Sequence, residues 1–500
     1  MSQVILGSLG DVFALNNLVF MFLGVTLGII FGALPGLTAT MGVAVLLPVT
    51  FGMDPTTGIL FLLGVYCGGI YGSSIPAILI KTPGTPASAA ILEDSAALVK
   101  QGRAGEALRA TVFASAVAGF ISALILLFVA PQLAKFALKF GPAEYFAIAL
   151  FGLTMISKVS AKSVLKGTFM GMLGMFVSVV GMDPITGTPR FAFGNTNLLG
   201  GLALVPVLVG LFAITEIFVQ TQSANEVKAK VQAKITDKKE SLFHFFKYWK
   251  TILKSSLIGT FIGMIPGTGA PLASFLSYNE AHRSSKKKEE YGKGSMEGII
   301  ASEAGNNGVT GATLIPLLTL GIPGDTVTAI LLGALLIQGL NPGPQLFTEH
   351  ADVMYGVMIG LLVINVILYI QGRIASKVFA KITSVPMNVL IPILITLCFV
   401  GSYSVNNTLF DVKVMIAFGL LGYVLIKLGF PLIPMLLGIV LGPIAEPNLR
   451  RALIASQGDW SVFLTKPIAL VFILLSVFTI ALPMVQGLIR SMKMRKKSMR

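Results

Sequence analysis

The sequence predicts an all-α polytopic membrane protein, an inverted-topology repeat whose helices are broken into re-entrant hairpins. Three observations predict it. The 500 residues are 54% hydrophobic and only 12% charged, about half the charge of an ordinary soluble domain. Pro-Gly pairs interrupt apolar, helix-like runs at matching places in two halves. Loops that correspond between the halves differ in charge.

Apolar runs cover roughly 12–34, 37–52, 57–80, 106–130, 142–157, 163–181 and 198–220. After a polar interval they resume at roughly 251–265, 270–280, 298–322, 326–340, 352–372, 386–402, 411–428, 431–445 and 464–487. A full crossing needs about 20 apolar residues. The runs beside the Pro-Gly pairs are shorter, so they read as half-helices or hairpin arms. The expectation is about 10–12 transmembrane segments. A first inverted repeat spans 1–220 and a basic cytoplasmic linker 221–250. A second repeat spans 251–500, with an extra C-terminal span and a basic tail at Arg490–Arg500. The linker holds Lys228, Lys230, Lys234, Lys238, Lys239, Lys247 and Lys250. Its aromatic run Phe243–Trp249 has the look of an interfacial amphipathic segment, with a solvated linker as the competing reading.

The breaks come in ordered pairs. Gly32–Ala39, with Pro35-Gly36, matches Gly263–Ala270, with Pro266-Gly267. The run from Pro76 to Pro83-Gly84-Thr85 matches the run from Pro316 to Pro323-Gly324-Asp325. A third pair sets Gly171, Gly174 and Gly181 beside Gly419, Gly422 and Gly429, and Leu204–Gly210 beside Leu432–Gly438. Between the members of this pair, half one carries an extra loop, Asp183–Asn197, expected on the periplasmic side.

The loop Thr50–Thr57 has no Lys or Arg, whereas its counterpart has Arg283, Lys286, Lys287, Lys288 and Lys293. After the second break the asymmetry reverses. Half one has Lys100, Arg103 and Arg109, and Asn341–Asp352 has none. Because positive loops stay cytoplasmic, equivalent loops lie on opposite sides of the membrane. Pro35-Gly36 should open from the periplasmic side and Pro266-Gly267 from the cytoplasmic side. The C-terminus is expected in the cytoplasm and the N-terminus on the periplasmic side.

Composition narrows the function classes. The net charge of +15 sits mostly in loops, so the positive-inside rule explains it better than nucleic-acid binding. Cys67 and Cys398 lie in apolar runs and read as buried thiols. Three histidines without HExxH argue against a zinc enzyme, and the absence of Gly-x4-Gly-Lys-Ser/Thr argues against an ATP P-loop. Met1–Asp11 lacks the basic start of a cleavable signal peptide.

Pro and Gly free backbone groups that lipid cannot satisfy. Paired interruptions therefore point to the binding site of a secondary transporter. N-terminal helix ends suit an anion and C-terminal ends a cation. The candidate substrate site is Pro35, Gly36, Thr38, Lys81, Thr82, Pro83, Gly84, Thr85, Pro266, Gly267, Thr268, Gly269, Pro323, Gly324, Asp325 and Thr326. Hydroxyls there can bind a ligand or simply cap the half-helices. Lys81 can neutralise a substrate carboxylate or snorkel to the interface. Ion-coupling candidates are Glu303, Asn306, Asn307 and Asp325, with Na⁺ a candidate ligand of the same residues. A carboxylate beside two amides is rich in hard-cation ligands, although a polar helix contact is the other reading of Glu303. Glu216, near the end of its run, reads as interfacial.

These stretches resemble TctA, the large membrane subunit of tripartite tricarboxylate transporters. The likeness rests on Gly32–Ala39, Tyr71–Pro86, Gly181–Gly194 and Glu303–Gly343, and it covers nearly the whole chain. Most specific are Gly305-Asn306-Asn307-Gly308, Gly321–Asp325 and Gly339–Gly343. The family pattern has Asn where Lys81 stands, so no role carries over to Lys81. The resemblance implies a multi-pass permease of the bacterial inner membrane that imports di- and tricarboxylates. It implies Na⁺ or H⁺ as coupling ion and no other cofactor. It also implies a small TctB-like membrane subunit and a periplasmic TctC-like binding protein, allows a homodimer of the complex, and suggests elevator-like alternating access. A stand-alone carboxylate:cation symporter is the alternative. An intramembrane enzyme is a distant third, because aspartyl chemistry needs a paired carboxylate and no second Asp stands in a comparable motif.

Overall fold

A computed structural model describes residues 2–159, 164–223, 244–374 and 387–479, together with 378, 379, 382, 385 and 481. Lys228, Lys230, Lys234, Lys238, Lys239 and Phe243 of the expected linker, and the tail Arg490–Arg500, lie outside the described residues.

The described chain is helical nearly throughout. In order come α1 (Ser2–Val12), α2 (Leu15–Ala33), α3 (Ala39–Leu46), α4 (Pro55–Gly72), α5 (Ser74–Ile80), α6 (Leu92–Lys100), α7 (Ala104–Ala137), α8 (Pro142–Val159) and α9 (Val164–Ser178). Next are α10 (Leu204–Leu208), which continues through a π-helical stretch into α11 (Thr215–Ser223), then α12 (Trp249–Gly263), α13 (Gly269–Ser284), α14 (Met296–Ala312), α15 (Leu314–Leu320) and α16 (Thr326–Ile337). The remainder is α17 (Leu346–Glu349), α18 (Ala351–Ile374), α19 (Met387–Ser404), α20 (Leu409–Lys427), α21 (Leu432–Ala455) and α22 (Val462–Thr465). Among the described residues, seven helices are long and apolar enough to cross a membrane. Shorter apolar helices, including Ala39–Thr50 and Thr326–Ile337, supply the broken arms. The chain is an all-α polytopic membrane protein.

The structure falls into two compact units. One joins Met1–Lys135 to Ala203–Tyr423, and the other joins Phe136–Leu202 to Val424–Arg500. Each unit draws on both sequence halves, so a half of the chain is not itself a compact body.

In the larger unit, α2 packs along α4 and α12 along α14. Every residue from Thr56 to Leu79 is buried, as befits a helix apolar on every side. The two packings repeat one geometry. Gly28 and Gly32 precede Pro35 at the spacing with which Gly259 and Gly263 precede Pro266. A Cβ on Gly32 would collide with the Gly69 carbonyl, and one on Gly263 would lie 3.0 Å from the Val309 carbonyl oxygen. Gly69 and Val309 in turn stand at equal distances before Pro83 and Pro323. Only glycine lets the backbones approach this closely.

The second breaks also repeat. Lys81 ends α5 in the left-handed region (φ 55°), and Gly321 ends α15 in the same way (φ 72°). The amide of Thr82 donates to Pro76 O at 3.3 Å, and that of Ile322 to Pro316 O at 3.2 Å. A Cβ on Gly84 would lie 2.8 Å from Ser73 Cα, and one on Gly324 2.9 Å from Thr313 Cα.

In the smaller unit, α21 packs against α9 and α8. Gly174 and Gly438 meet where added Cβ atoms would strike the opposite backbone. The loop after α9 contains a feature outside the all-helical expectation, a short antiparallel hairpin pairing Gly181–Met182 with Pro189–Arg190. Asp183 pins it, accepting from Ile185 N at 2.8 Å and from Arg450 Nη1 at 2.8 Å, and pairing with Arg190. Burial acts to raise the Asp183 pKa. The Ile185 amide, Arg450, Thr186 and Arg190 outweigh it and hold the carboxyl well below the usual range.

Candidate functional site

All four breaks lie in the larger unit, and direct contacts join them in a ring. Each break separates two helices because Pro removes an amide and a nearby residue turns the chain through the left-handed region, Lys81 and Gly321 doing so at the second and fourth breaks. Gly36 has φ 86° and Gly267 φ 82°.

The first break meets the fourth through hydroxyls. Thr40 Oγ1 lies 3.0 Å from Thr326 Oγ1, at the starts of α3 and α16. Farther along, Gln338 Nε2 donates to Thr50 O at 2.9 Å. The two half-helices therefore run side by side in the same direction, with their N-terminal ends together. Thr38 caps α3 by accepting from Met41 N at 3.2 Å. Asp325 caps α16 by accepting from Thr328 N at 2.8 Å, in a capping box with Thr328.

The third break meets the fourth through backbone, since Gly267 N donates to Gly324 O at 2.8 Å. Thr268 Oγ1 donates to Ile262 O at 2.6 Å, tying off the end of α12, and Gly269 (φ 65°) opens α13. Pro266 and Pro323 are buried. The second break meets the third where Ser274 Oγ donates to Ala87 O at 2.8 Å. It approaches the first where a Cβ on Gly84 would lie 3.1 Å from Gly32 O.

Two candidates stand apart from this ring. Lys81 is exposed and pairs with exposed Glu93 at 3.3 Å; such a surface pair contributes about 0–1 kcal/mol. Pro83 is also exposed. Neighbouring Thr82 is half-buried, and Thr85 donates to Ser73 Oγ at 3.2 Å.

Buried polar side chains support the ring from α4 and α14. Tyr66 OH donates to Asp325 Oδ2 at 2.7 Å and lies 3.3 Å from Thr313 Oγ1. Glu303 is fully buried. Its side-chain partners among the described residues are Ser74 (2.6 Å), Ser115 (3.3 Å) and the Asn307 amide (3.5 Å). Asn307 Nδ2 also donates to Ser115 Oγ at 2.8 Å. Both side-chain polar atoms of buried Asn306 lack a hydrogen-bond partner among the described residues.

Sequence reasoning missed Tyr66, Gln220 and Ser74. Gln220 Nε2 donates to Gly36 O at 3.0 Å and to Glu216 Oε1 at 2.7 Å, so Glu216 reaches the first break through one side chain. Polar residues inside apolar spans are expensive, and that signal would have picked out Gln220. Tyr66 has a different signal, because it stands before Pro83 as Asn306 stands before Pro323.

The arrangement offers two aligned helix starts, hydroxyls that donate or accept, and buried amide and carboxylate groups. It suits a small polar anion together with a cation or proton. No solved structure matches the chain significantly. An uncharacterised 52.8 kDa protein in the TAR-I ttuC′ 3′ region of Agrobacterium vitis is 39% identical over 455 residues, covering 91% of this chain and 90% of that protein. A second uncharacterised protein, in the TAR-II ttuC′ 3′ region of the same organism, is 42% identical over 211 residues, or 42% of this chain and 87% of that protein. Residues 18–437 match the family described as Tripartite tricarboxylate transporter TctA, and the chain belongs to that family.

Proposed function

We propose that the chain is the permease subunit of a binding-protein-dependent secondary transporter that imports di- or tricarboxylates, and that its substrate passes through the ring of four breaks. The observation that carries this reading is the side-by-side start of α3 and α16 at Thr40 and Thr326. Two helix N-termini placed together concentrate partial positive charge, which an anion relieves. Thr40 and Thr326 are half-buried residues rather than sealed ones, which supports access for a ligand.

Glu303 supports coupling. A buried carboxylate with only hydroxyl and amide partners is costly in a membrane, and a proton or Na⁺ offsets that cost. Import with one of these ions as co-substrate therefore fits the site. The repeated glycine contacts and break geometries support two inverted repeats, 1–220 and 251–500, joined by a basic linker at 221–250. The loop charges support a cytoplasmic C-terminus and a periplasmic N-terminus, and membership of the family supports a bacterial inner membrane. Two repeats with re-entrant arms and a separate smaller unit are the parts an elevator motion uses. A small membrane subunit and a periplasmic binding protein complete the tripartite assembly.

The enzyme alternative finds little support at Asp325. Its side-chain hydrogen bonds are to Thr328 and Tyr66, which makes it a cap rather than half of a carboxylate pair. The stand-alone symporter differs from the tripartite reading in one measurable way. In proteoliposomes, radiolabelled citrate or malate uptake should require both the cognate binding protein and an inward Na⁺ or H⁺ gradient. Uptake that ignores the binding protein would favour the stand-alone carrier. Uptake that ignores both would remove ion coupling as well.

A further inference from the structure

Asn306 is 1% exposed, and neither its Nδ2 nor its Oδ1 has a partner among the described residues. Leaving a buried amide unpaired is costly, so such an amide needs an explanation. The repeated geometry supplies one. Tyr66 and Asn306 occupy equivalent places, each seventeen residues before the proline of its second break. Asp325 and Thr85 are equivalent too, and their local bonding matches. Asp325 N donates to Thr328 Oγ1 at 2.9 Å, and Thr328 Oγ1 donates to Asp325 O at 3.1 Å. Thr85 N donates to Ser88 Oγ at 3.2 Å, and Ser88 Oγ donates to Thr85 O at 2.9 Å.

The long phenol of Tyr66 reaches the carboxylate of Asp325. The related pair is Asn306 and Thr85. Both side chains are shorter, they share no hydrogen bond, and Thr85 turns its hydroxyl to Ser73. The turns of α14 on either side of Asn306 nonetheless pack against the second break. One turn before it, Ser302 Oγ lies 2.6 Å from Ser274 Oγ, which donates to Ala87 O. One turn after it, Val309 packs in one apolar cluster with Ala87. Residues on both sides of Asn306 on this face of α14 therefore reach Ala87 or its immediate partner.

We propose that Asn306, with Thr85, binds the carboxylate end of the transported substrate, in the place that the Asp325 carboxylate takes in the related half. The inference rests on the carboxylate-transport reading above and deepens it. An amide presents a donor and an acceptor side by side. Its complement is an acceptor beside a donor, which is a carboxylate with a hydroxyl on the adjacent carbon. The Nδ2 protons go to the carboxylate and the hydroxyl proton goes to Oδ1. The substrate class is thus a 2-hydroxycarboxylate. A bare Na⁺ would satisfy Oδ1 and leave Nδ2 unpaired.

Malate and succinate differ only by that hydroxyl, so they are the probes. Equilibrium binding of each, and of citrate, is measured to the full chain in lipid nanodiscs, with the melting temperature recorded for every variant. The wild type should bind malate 10-fold or more tighter than succinate, since a site built for a hydroxyl rejects the analogue without one. Asn306→Ala should weaken malate at least 10-fold and bring the malate-to-succinate ratio close to one. Asn306→Asp, nearly the same size, should weaken all three acids by placing a negative charge against the carboxylate. It serves as the second probe if Asn306→Ala does not fold. Equal wild-type affinity for malate and succinate would overturn the inference, as would an unchanged ratio in Asn306→Ala or unchanged affinities in Asn306→Asp. A wild type that binds none of the three acids would instead overturn the carboxylate-transport reading itself.

Discussion

Tyr66 gives its hydroxyl proton to a carboxylate that already caps a helix, and both groups sit where the first and fourth breaks meet. A hydrogen bond to a charged group contributes about 1.5–3 kcal/mol. Tyr66→Phe should therefore lower the melting temperature and reduce carboxylate uptake, because Asp325 loses the partner that orients it. Uptake equal to wild type would make this bond dispensable. Asp325→Ala removes an N-cap worth about 1 kcal/mol and the Tyr66 contact as well. It should cost more stability than Tyr66→Phe, measured by thermal unfolding in the same detergent. The Pro and Gly of each break were legible in the sequence because their backbone chemistry is unmistakable. Gln220 carried the signal of a polar residue in an apolar run, and Tyr66 only that of its place before Pro83. A tyrosine in an apolar run reads as core until the fold shows what its hydroxyl meets. Lys81 was read two ways, and the structure puts it at an exposed pair with Glu93, away from the buried contacts.

At the scale of elements, two helix pairs depend on glycine. Where α2 crosses α4, Gly32 leaves no room for a Cβ beside the Gly69 carbonyl, and Gly263 is tight against Ala312 and Val309 of α14. Gly32→Val or Gly263→Val should separate the backbones, at about 1–3 kcal/mol each or more. Gly10→Ala, at an open position within α1, should not lower stability. Folded protein of wild-type melting temperature from Gly32→Val would contradict the close packing. Which helices pair through these glycines could not be read from sequence, because small residues in apolar runs mark many interfaces alike.

The hairpin after α9 makes a separate prediction. Asp183 has a lowered pKa in the folded protein, so it contributes stability above its ordinary value near 4, and that contribution fades only as pH falls toward the lower folded value. Stability from this group should be flat between pH 5 and 8, and Asp183→Asn should lower the melting temperature equally across that window. A loss in the variant that varies across those pH values would contradict the ion-pair account. The sequence marked this loop as an insertion. Its two-stranded pairing escaped notice because Arg450, which helps fix Asp183, comes from far along the chain.

The whole molecule was legible in class and much less so in assembly. Composition and run length gave an all-α membrane protein, and the paired breaks marked where its polar contacts gather. The compact units interleave the two halves, an outcome of long-range packing that no local pattern announces. The central claim is that the four breaks form one carboxylate site. Single cysteines placed at Thr40, Thr85, Thr268 and Thr326, with Cys67 and Cys398 replaced by alanine, can report on it through alkylation rates in membranes. Saturating citrate or malate should slow alkylation at all four positions and leave a cysteine at exposed Glu93 unaffected. Unchanged rates at all four positions in a protein that still takes up the acid would contradict the account.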